Sequence, residues 1–209
     1  MSFTDAFDAA FARLPLVAIL RGVQPGEVEA IGEALVASGF DLIEVPMNSP
    51  DPLDSIARLA TRFAGRAVIG AGTVLRVDQV RAVQDAGGTM IISPNANVEV
   101  IRASAAAGLV SLPGIATPSE AFAAIDAGAT ALKLFPAEAA SPAVLKAMGA
   151  VLPRGTRMLP VGGISPDTMA PWLAAGAAGF GLGSALYKPG LSADEVGANA
   201  RAFVSALRG

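Results

Sequence analysis

The chain has 209 residues, 15 Lys and Arg against 18 Asp and Glu, a formal net charge of −3, and neither cysteine nor histidine. Those absences exclude a disulfide framework, a thiolate nucleophile, a Cys-ligated metal, a Ser-His-Asp triad and imidazole acid–base catalysis. With a pI near 5.0 and no cluster of basic residues, neither nucleic acid nor an anionic membrane surface is an expected partner, and the available chemistry runs on lysine, carboxylates, hydroxyls, arginine and backbone amides.

A chain of this length is expected to form one domain spanning residues 1–209 around a single large core. The apolar fraction of 53% and mean hydropathy of +0.54 are inflated by alanine and glycine. No window reaches the roughly 18 consecutive apolar residues that a spanning helix needs. The first residues carry Asp5 and Asp8 and lack a basic leader, so a soluble, cytoplasmic protein is expected. Within residues 1–14, Phe3, Phe7 and Phe11 follow an i, i+4, i+8 spacing. An amphipathic N-terminal helix that plugs the end of a barrel or packs on its outer wall accounts for them, as does a partner-binding face.

From Leu16 onward, short apolar runs recur: LVAIL from Leu16, DLIEV from Asp41, AVIGA from Ala67, TMIIS from Thr89, LVSLP from Leu109, TALKLF from Thr130, RMLPV from Arg157 and GFGLG from Gly179. Runs of four to six residues bounded by turn signals read as buried parallel strands. The intervening segments read as helices. The first, from Pro25 to Ser38, carries Val28, Ile31, Leu35 and Val36 on one face and stops at Gly39. Later segments stop at Gly87, Gly108, Gly128 and Gly176, in keeping with the left-handed residue that closes many helices. Eight alternating strand and helix units predict an α/β fold, a (β/α)8 TIM barrel with an additional N-terminal helix.

Active sites of such barrels lie at the C-terminal ends of the strands. Of three lysines, Lys146 falls in a helix, Lys188 follows the last strand, and Lys133 sits inside the run Ala131-Leu132-Lys133-Leu134-Phe135. A lysine inside an apolar strand faces the interior, where desolvation lowers its pKa and exposes a neutral amine able to form a Schiff base. A structural lysine paired with a carboxylate fits the same position. Glu44 is the only glutamate in a strand. It serves either as proton shuttle to that amine or as its ion-pair partner, and the two roles are compatible.

Arg21, Asn48, Thr73 and Pro94 follow strands one to four. Each is a turn residue or a substrate contact, with Arg21 and Thr73 suited to a carboxylate. After strands seven and eight come Val161-Gly162-Gly163 and Gly183-Ser184, where this fold recurrently binds phosphate through backbone amides. The spaced glycines Gly179, Gly181 and Gly183 are a weak dinucleotide signal, since no further strand or ribose-binding acid follows.

Taken together, Leu20-Arg21-Gly22, Ile43-Glu44-Val45, Gly70-Ala71-Gly72-Thr73, Ile92-Ser93-Pro94-Asn95, Leu132-Lys133-Leu134-Phe135-Pro136-Ala137-Glu138 and Val161-Gly162-Gly163-Ile164 resemble the KDPG/KHG aldolases across all eight strands. The resemblance implies class I aldol cleavage of a phosphorylated 2-keto-3-deoxy sugar acid, without metal or cofactor, by a homotrimer. It implies Lys133 as the Schiff-base lysine and Glu44 as the proton shuttle. It also implies substrate binding by Arg21, Asn48, Thr73, Pro94 and Val161, and phosphate binding by Gly162, Gly163, Gly183 and Ser184. Asn48-Ser49 and Val161-Gly162-Gly163 resemble members acting on the galactonate epimer, where gluconate-acting members tend to have Arg-Thr and Thr-Gly-Gly. Phe135-Pro136-Ala137-Glu138 is nearer the gluconate form. 2-Dehydro-3-deoxy-6-phosphogluconate and 4-hydroxy-2-oxoglutarate are thus alternative substrates, and a non-catalytic sugar-phosphate-binding barrel is the alternative of a different class.

Overall fold

A computed structural model describes residues 2–208. In chain order its elements are α1 (Phe3–Arg13), β1 (Leu16–Ile19), α2 (Val28–Ala37), β2 (Leu42–Pro46), α3 (Pro52–Arg62), β3 (Val68–Gly72), α4 (Val77–Asp85), β4 (Met90–Ile92), α5 (Val98–Ala106) and β5 (Val110–Leu112). They continue with β6 (Gly114–Ile115), α6 (Pro118–Asp126), β7 (Leu132–Leu134), α7 (Pro142–Val151), β8 (Met158–Pro160), α8 (Met169–Ala174), β9 (Phe180–Leu182) and α9 (Ala193–Arg208). Each predicted strand run contains a strand. Helix α2 begins later than Pro25, because Gln24 to Glu27 form a turn closed by the Glu27 N–H on the Gln24 carbonyl. The predicted helix stops Gly39, Gly87, Gly108, Gly128 and Gly176 all have positive φ.

Among the described residues nine strands stand where eight were expected, because the fifth run continues into a second short strand. Beyond β5, Pro113 interrupts the ladder and Gly114–Ile115 forms a separate strand. Proline supplies no N–H for a ladder bond, whereas its carbonyl still accepts from the Lys133 N–H at 2.9 Å. The strands pair in parallel as two sheets, β5-β4-β3-β2-β1-β9 and β6-β7-β8, joined by a bridge between Val161 and Gly181. A parallel sheet covered by helices on its outer face follows from the long crossovers.

Side-chain alternation along the curled strands divides the apolar core in two. Leu16, Ala18, Ile43, Val45, Ile69 and Ala71 face outward into the cluster that packs the helices. Val17, Leu42, Val68, Met90, Val110 and Leu159 face inward and meet Phe7, Ala10 and Phe11 of α1. Helix α1 therefore caps the N-terminal ends of the strands, the plug arrangement rather than the outer wall. It is opened by a capping box between Ser2 and Asp5, which satisfies two otherwise free N–H groups. Arg157 fixes its seat: the guanidinium lies 5.5 Å from the Phe7 ring centre and 5.4 Å from that of Phe11 and pairs with Asp8 at 2.7 Å. Phe3 departs from the expected face and remains exposed. Among the described residues no helix is long and apolar enough to cross a membrane.

Candidate active site

The alternation that places Leu42 inward places Glu44, two residues on, inward as well, and in β7 it turns Lys133 the same way between outward-facing Leu132 and Leu134. Glu44 is 1% exposed and Lys133 6%; both line one small cavity with Val17, Ile92, Leu112 and Val161. Lys146 and Lys188 are exposed, so Lys133 is the lysine whose ammonium loses its water.

Burial pushes the Glu44 carboxyl up to about 7, against the opposing pull of the Lys133 and Arg21 charges. Burial likewise draws Lys133 below the ordinary lysine range; the Glu44 carboxylate resists this and the Arg21 charge adds to it. Desolvation thus moves the acid and the amine toward one another. The Phe135 ring centre lies 4.7 Å from Lys133 Nζ, a contact that favours the protonated amine. Glu44 Oε2 is buried without a hydrogen-bond partner, an open acceptor aimed into the interior. Its seat depends on Gly72, since a Cβ at that position would overlap the carboxylate.

Above this pair, a cleft of about 290 Å³ opens at the C-terminal ends of the strands. It brings together Arg21, Lys133, Val161, Gly162, Gly163, Gly183 and Ser184. Asn48 reaches it through Arg21, whose Nη1 donates to Asn48 Oδ1 at 2.6 Å. The Gly22 N–H donates to Ser49 Oγ at 2.9 Å and ties the same two loops. Thr73 follows β3 with φ of 56°, a left-handed conformation that costs a β-branched residue energy and is found chiefly at functional sites. Pro94 lies two residues beyond β4, its carbonyl pressed against Gly114; neither Thr73 nor Pro94 lines the cleft.

The cleft also contains Ile19, Phe135, Glu138, Tyr187, Lys188 and Pro189, which the strand-end pattern does not single out. Glu138 packs its side chain on Gly162 and Gly163. Tyr187 donates its hydroxyl to Glu27 at 2.8 Å; burial and that carboxylate both raise its pKa. The scarcity of lysine was the one available signal for Lys188. Among the described residues no group of three or more acidic side chains gathers in a way that could hold a metal ion.

The family described as KDPG and KHG aldolase matches residues 7–200. The chain belongs to this family. It is 46% identical over 196 residues, 94% of this chain and 96% of the relative, to the 2-dehydro-3-deoxy-6-phosphogalactonate aldolase of Escherichia coli K12. It is 47% identical over 192 residues, 92% and 91% of the two chains, to a probable 2-dehydro-3-deoxy-6-phosphogalactonate aldolase of Rhizobium meliloti. A solved structure described as native KDPGal superposes with a TM-score of 0.92 at 46% identity, covering 94% of this chain and 95% of that one. In this aldolase the strand-borne lysine lines both the cavity and the cleft, the strand-borne glutamate the cavity and the paired glycines the cleft.

Proposed function

We propose that the protein is a class I aldolase that cleaves 2-dehydro-3-deoxy-6-phospho-D-galactonate to pyruvate and D-glyceraldehyde 3-phosphate. The observation that carries this reading is the burial of Lys133 and Glu44 around one small cavity. A buried lysine of lowered pKa supplies the neutral amine that attacks the C2 ketone. A carboxyl near 7 both gives and takes protons at neutral pH.

Lys133 Nζ adds to C2, and the resulting carbinolamine loses water as Glu44 delivers a proton to the departing hydroxyl. The iminium then accepts the electron pair of the C3–C4 bond while the C4 hydroxyl gives up its proton. D-Glyceraldehyde 3-phosphate leaves, and an enamine remains on Lys133. Protonation at C3 and hydrolysis release pyruvate and regenerate the amine. Arg21, held by Asn48, addresses the carboxylate from the cleft; for Thr73 the same role is supported by the family pattern and its left-handed backbone. The Gly162-Gly163 turn and Gly183-Ser184 receive the phosphate with backbone amides, and the family pattern supports Pro94 at the pyruvate end. Borohydride reduction in the presence of pyruvate should add a pyruvate-derived mass to Lys133; full activity with Lys133 unmodified would refute the assignment.

Val161 supports the galactonate epimer, because it lines both the interior cavity and the cleft and presents no hydroxyl to the C4 position at which the epimers differ. Val161→Thr should shift the ratio of kcat/KM toward the gluconate epimer, since a hydrogen-bonding wall discriminates where an apolar wall does not. Binding without pyruvate release would point to a sugar-phosphate sensor instead. The same reading takes the two sheets as one closed (β/α)8 barrel in which β5 and β6 count as a single strand, supported by the Val161–Gly181 bridge. It takes the working form as a cytoplasmic homotrimer. Exposed Leu75, Val77, Phe122, Val144 and Val151 supply apolar surface for association, and a light-scattering mass tests it.

A further inference from the structure

Lys188 enters none of the ion pairs of the described residues, yet it lines the cleft beside Gly183 and Ser184. Its backbone is pinned on both sides. On one side, Tyr187 is 2% exposed and its hydroxyl donates to Glu27 Oε1 at 2.8 Å. Glu27 is itself fixed by the Gln24 N–H at 3.1 Å. On the other side, Pro189 packs on Gly22 so closely that a Cβ there would lie 2.8 Å from the proline ring. The Leu186 and Tyr187 N–H groups both donate to the Gly183 carbonyl, at 2.9 and 3.0 Å, and Asn199 Nδ2 holds the Leu186 carbonyl at 3.1 Å. The turn from Gly183 to Lys188 is therefore closed, while the lysine side chain itself stays exposed.

The charges around the cleft give that arrangement a purpose. Lys133 is committed to the ketone and Arg21 to Asn48. In the same cleft the Glu138 carboxylate packs against Gly162 and Gly163, an acidic group beside the turn that would receive a phosphate dianion. The Lys188 ammonium, which lines that cleft too, offsets it.

We propose that Lys188 is the phosphate-directed cation of this site, and that the Tyr187–Glu27 hydrogen bond positions it. The proposal rests on the aldolase reading above and deepens it. The experiment compares kcat/KM for 2-dehydro-3-deoxy-6-phosphogalactonate and for the same acid without its phosphoryl group, with inorganic phosphate as a competitive inhibitor. Lys188→Met should lower the ratio of the two kcat/KM values at least 10-fold and weaken phosphate inhibition to a similar degree, whereas Lys188→Arg should keep most of both. Tyr187→Phe should raise KM for the phosphorylated acid more than it lowers kcat. Tyr187→Phe should also lower the ratio when Lys188 is present and reduce it no further in Lys188→Met, whereas a merely structural tyrosine would lower both kcat/KM values alike and leave the ratio unchanged in either background. A ratio unchanged in Lys188→Met, or an equal loss on both substrates, overturns the role of Lys188. A wild-type enzyme indifferent to the phosphoryl group and to inorganic phosphate overturns the phosphorylated-substrate reading and the proposal with it.

Discussion

Gly72 offers a test of the site that leaves every chemical group in place. A Cβ added there would overlap the Glu44 carboxylate, and its nearest heavy atoms are all those of that one side chain. The Gly72 backbone does not have positive φ, so β3 itself accepts alanine. Glu44 is 1% exposed and the cavity it shares with Lys133 is small; Gly72→Ala should therefore rotate the carboxylate away from Lys133 or spread β2 from β3. Overpacking of this kind costs about 1–3 kcal/mol. Displacing an acid–base group lowers kcat by roughly 10²–10⁴-fold. Urea unfolding of the wild type, Gly72→Ala, Glu44→Ala and the double variant separates the causes. With the Glu44 side chain truncated, the new methyl has space, and Gly72→Ala should become nearly neutral, giving a coupling of about 1–3 kcal/mol between two inward positions on neighbouring strands. Equal destabilisation in both backgrounds, or a Gly72→Ala enzyme of full activity, would refute the steric account of this glycine.

The Glu44 carboxyl, raised from its ordinary 4.5 to about 7, makes stability fall with pH. Between those values the folded protein holds a proton that the unfolded chain has released, so this contribution is lost as pH rises through the window. At 1.36 kcal/mol per pH unit the loss is roughly 3 kcal/mol, and urea titrations at pH 4.5 and 8.5 should show it shrinking in Glu44→Gln, whose kcat also falls. Thr73→Gly should stabilise the fold by about 1 kcal/mol, by relieving a left-handed β-branched residue, while lowering kcat/KM; thermal melts and steady-state rates report the two effects. Phe7→Ala should cost about 3–5 kcal/mol through a cavity in the inner core, against at most about 0.5 kcal/mol for exposed Phe3→Ala, both read from urea midpoints.

Sequence pattern carried the strand and helix units because each strand here is an apolar run closed by a turn residue. The motif residues were legible for the same reason, since a lysine or glutamate within such a run has only the interior to face. What pattern did not carry was contact between distant loops. Nothing in Tyr187 or Glu27 alone announces that 160 positions apart they share a hydrogen bond. The Asn48–Arg21 bond at 2.6 Å likewise joins two loops whose contact neither residue announces. The break at Pro113 was visible as a proline, yet its consequence depends on which neighbours pair on either side. The fate of Phe3 turns on where the capped helix meets the strand ends, which an i, i+4 spacing does not specify.

The inner core links the two ends of the molecule. Phe7 and Phe11 pack on Leu42 and Val68, and Glu44 stands one inward position beyond Leu42 on the same strand. The apolar layer that seats α1 is therefore the floor beneath Glu44 and Lys133, with the cleft open on the opposite side. A chain without histidine has no side chain whose ordinary pKa lies near neutrality. This fold obtains one by desolvation instead, drawing a carboxyl upward and an amine downward in the same enclosed layer. On that account the helix at the N-terminus bears on Glu44 without entering the cleft, because it packs on the apolar layer in which that carboxyl is buried.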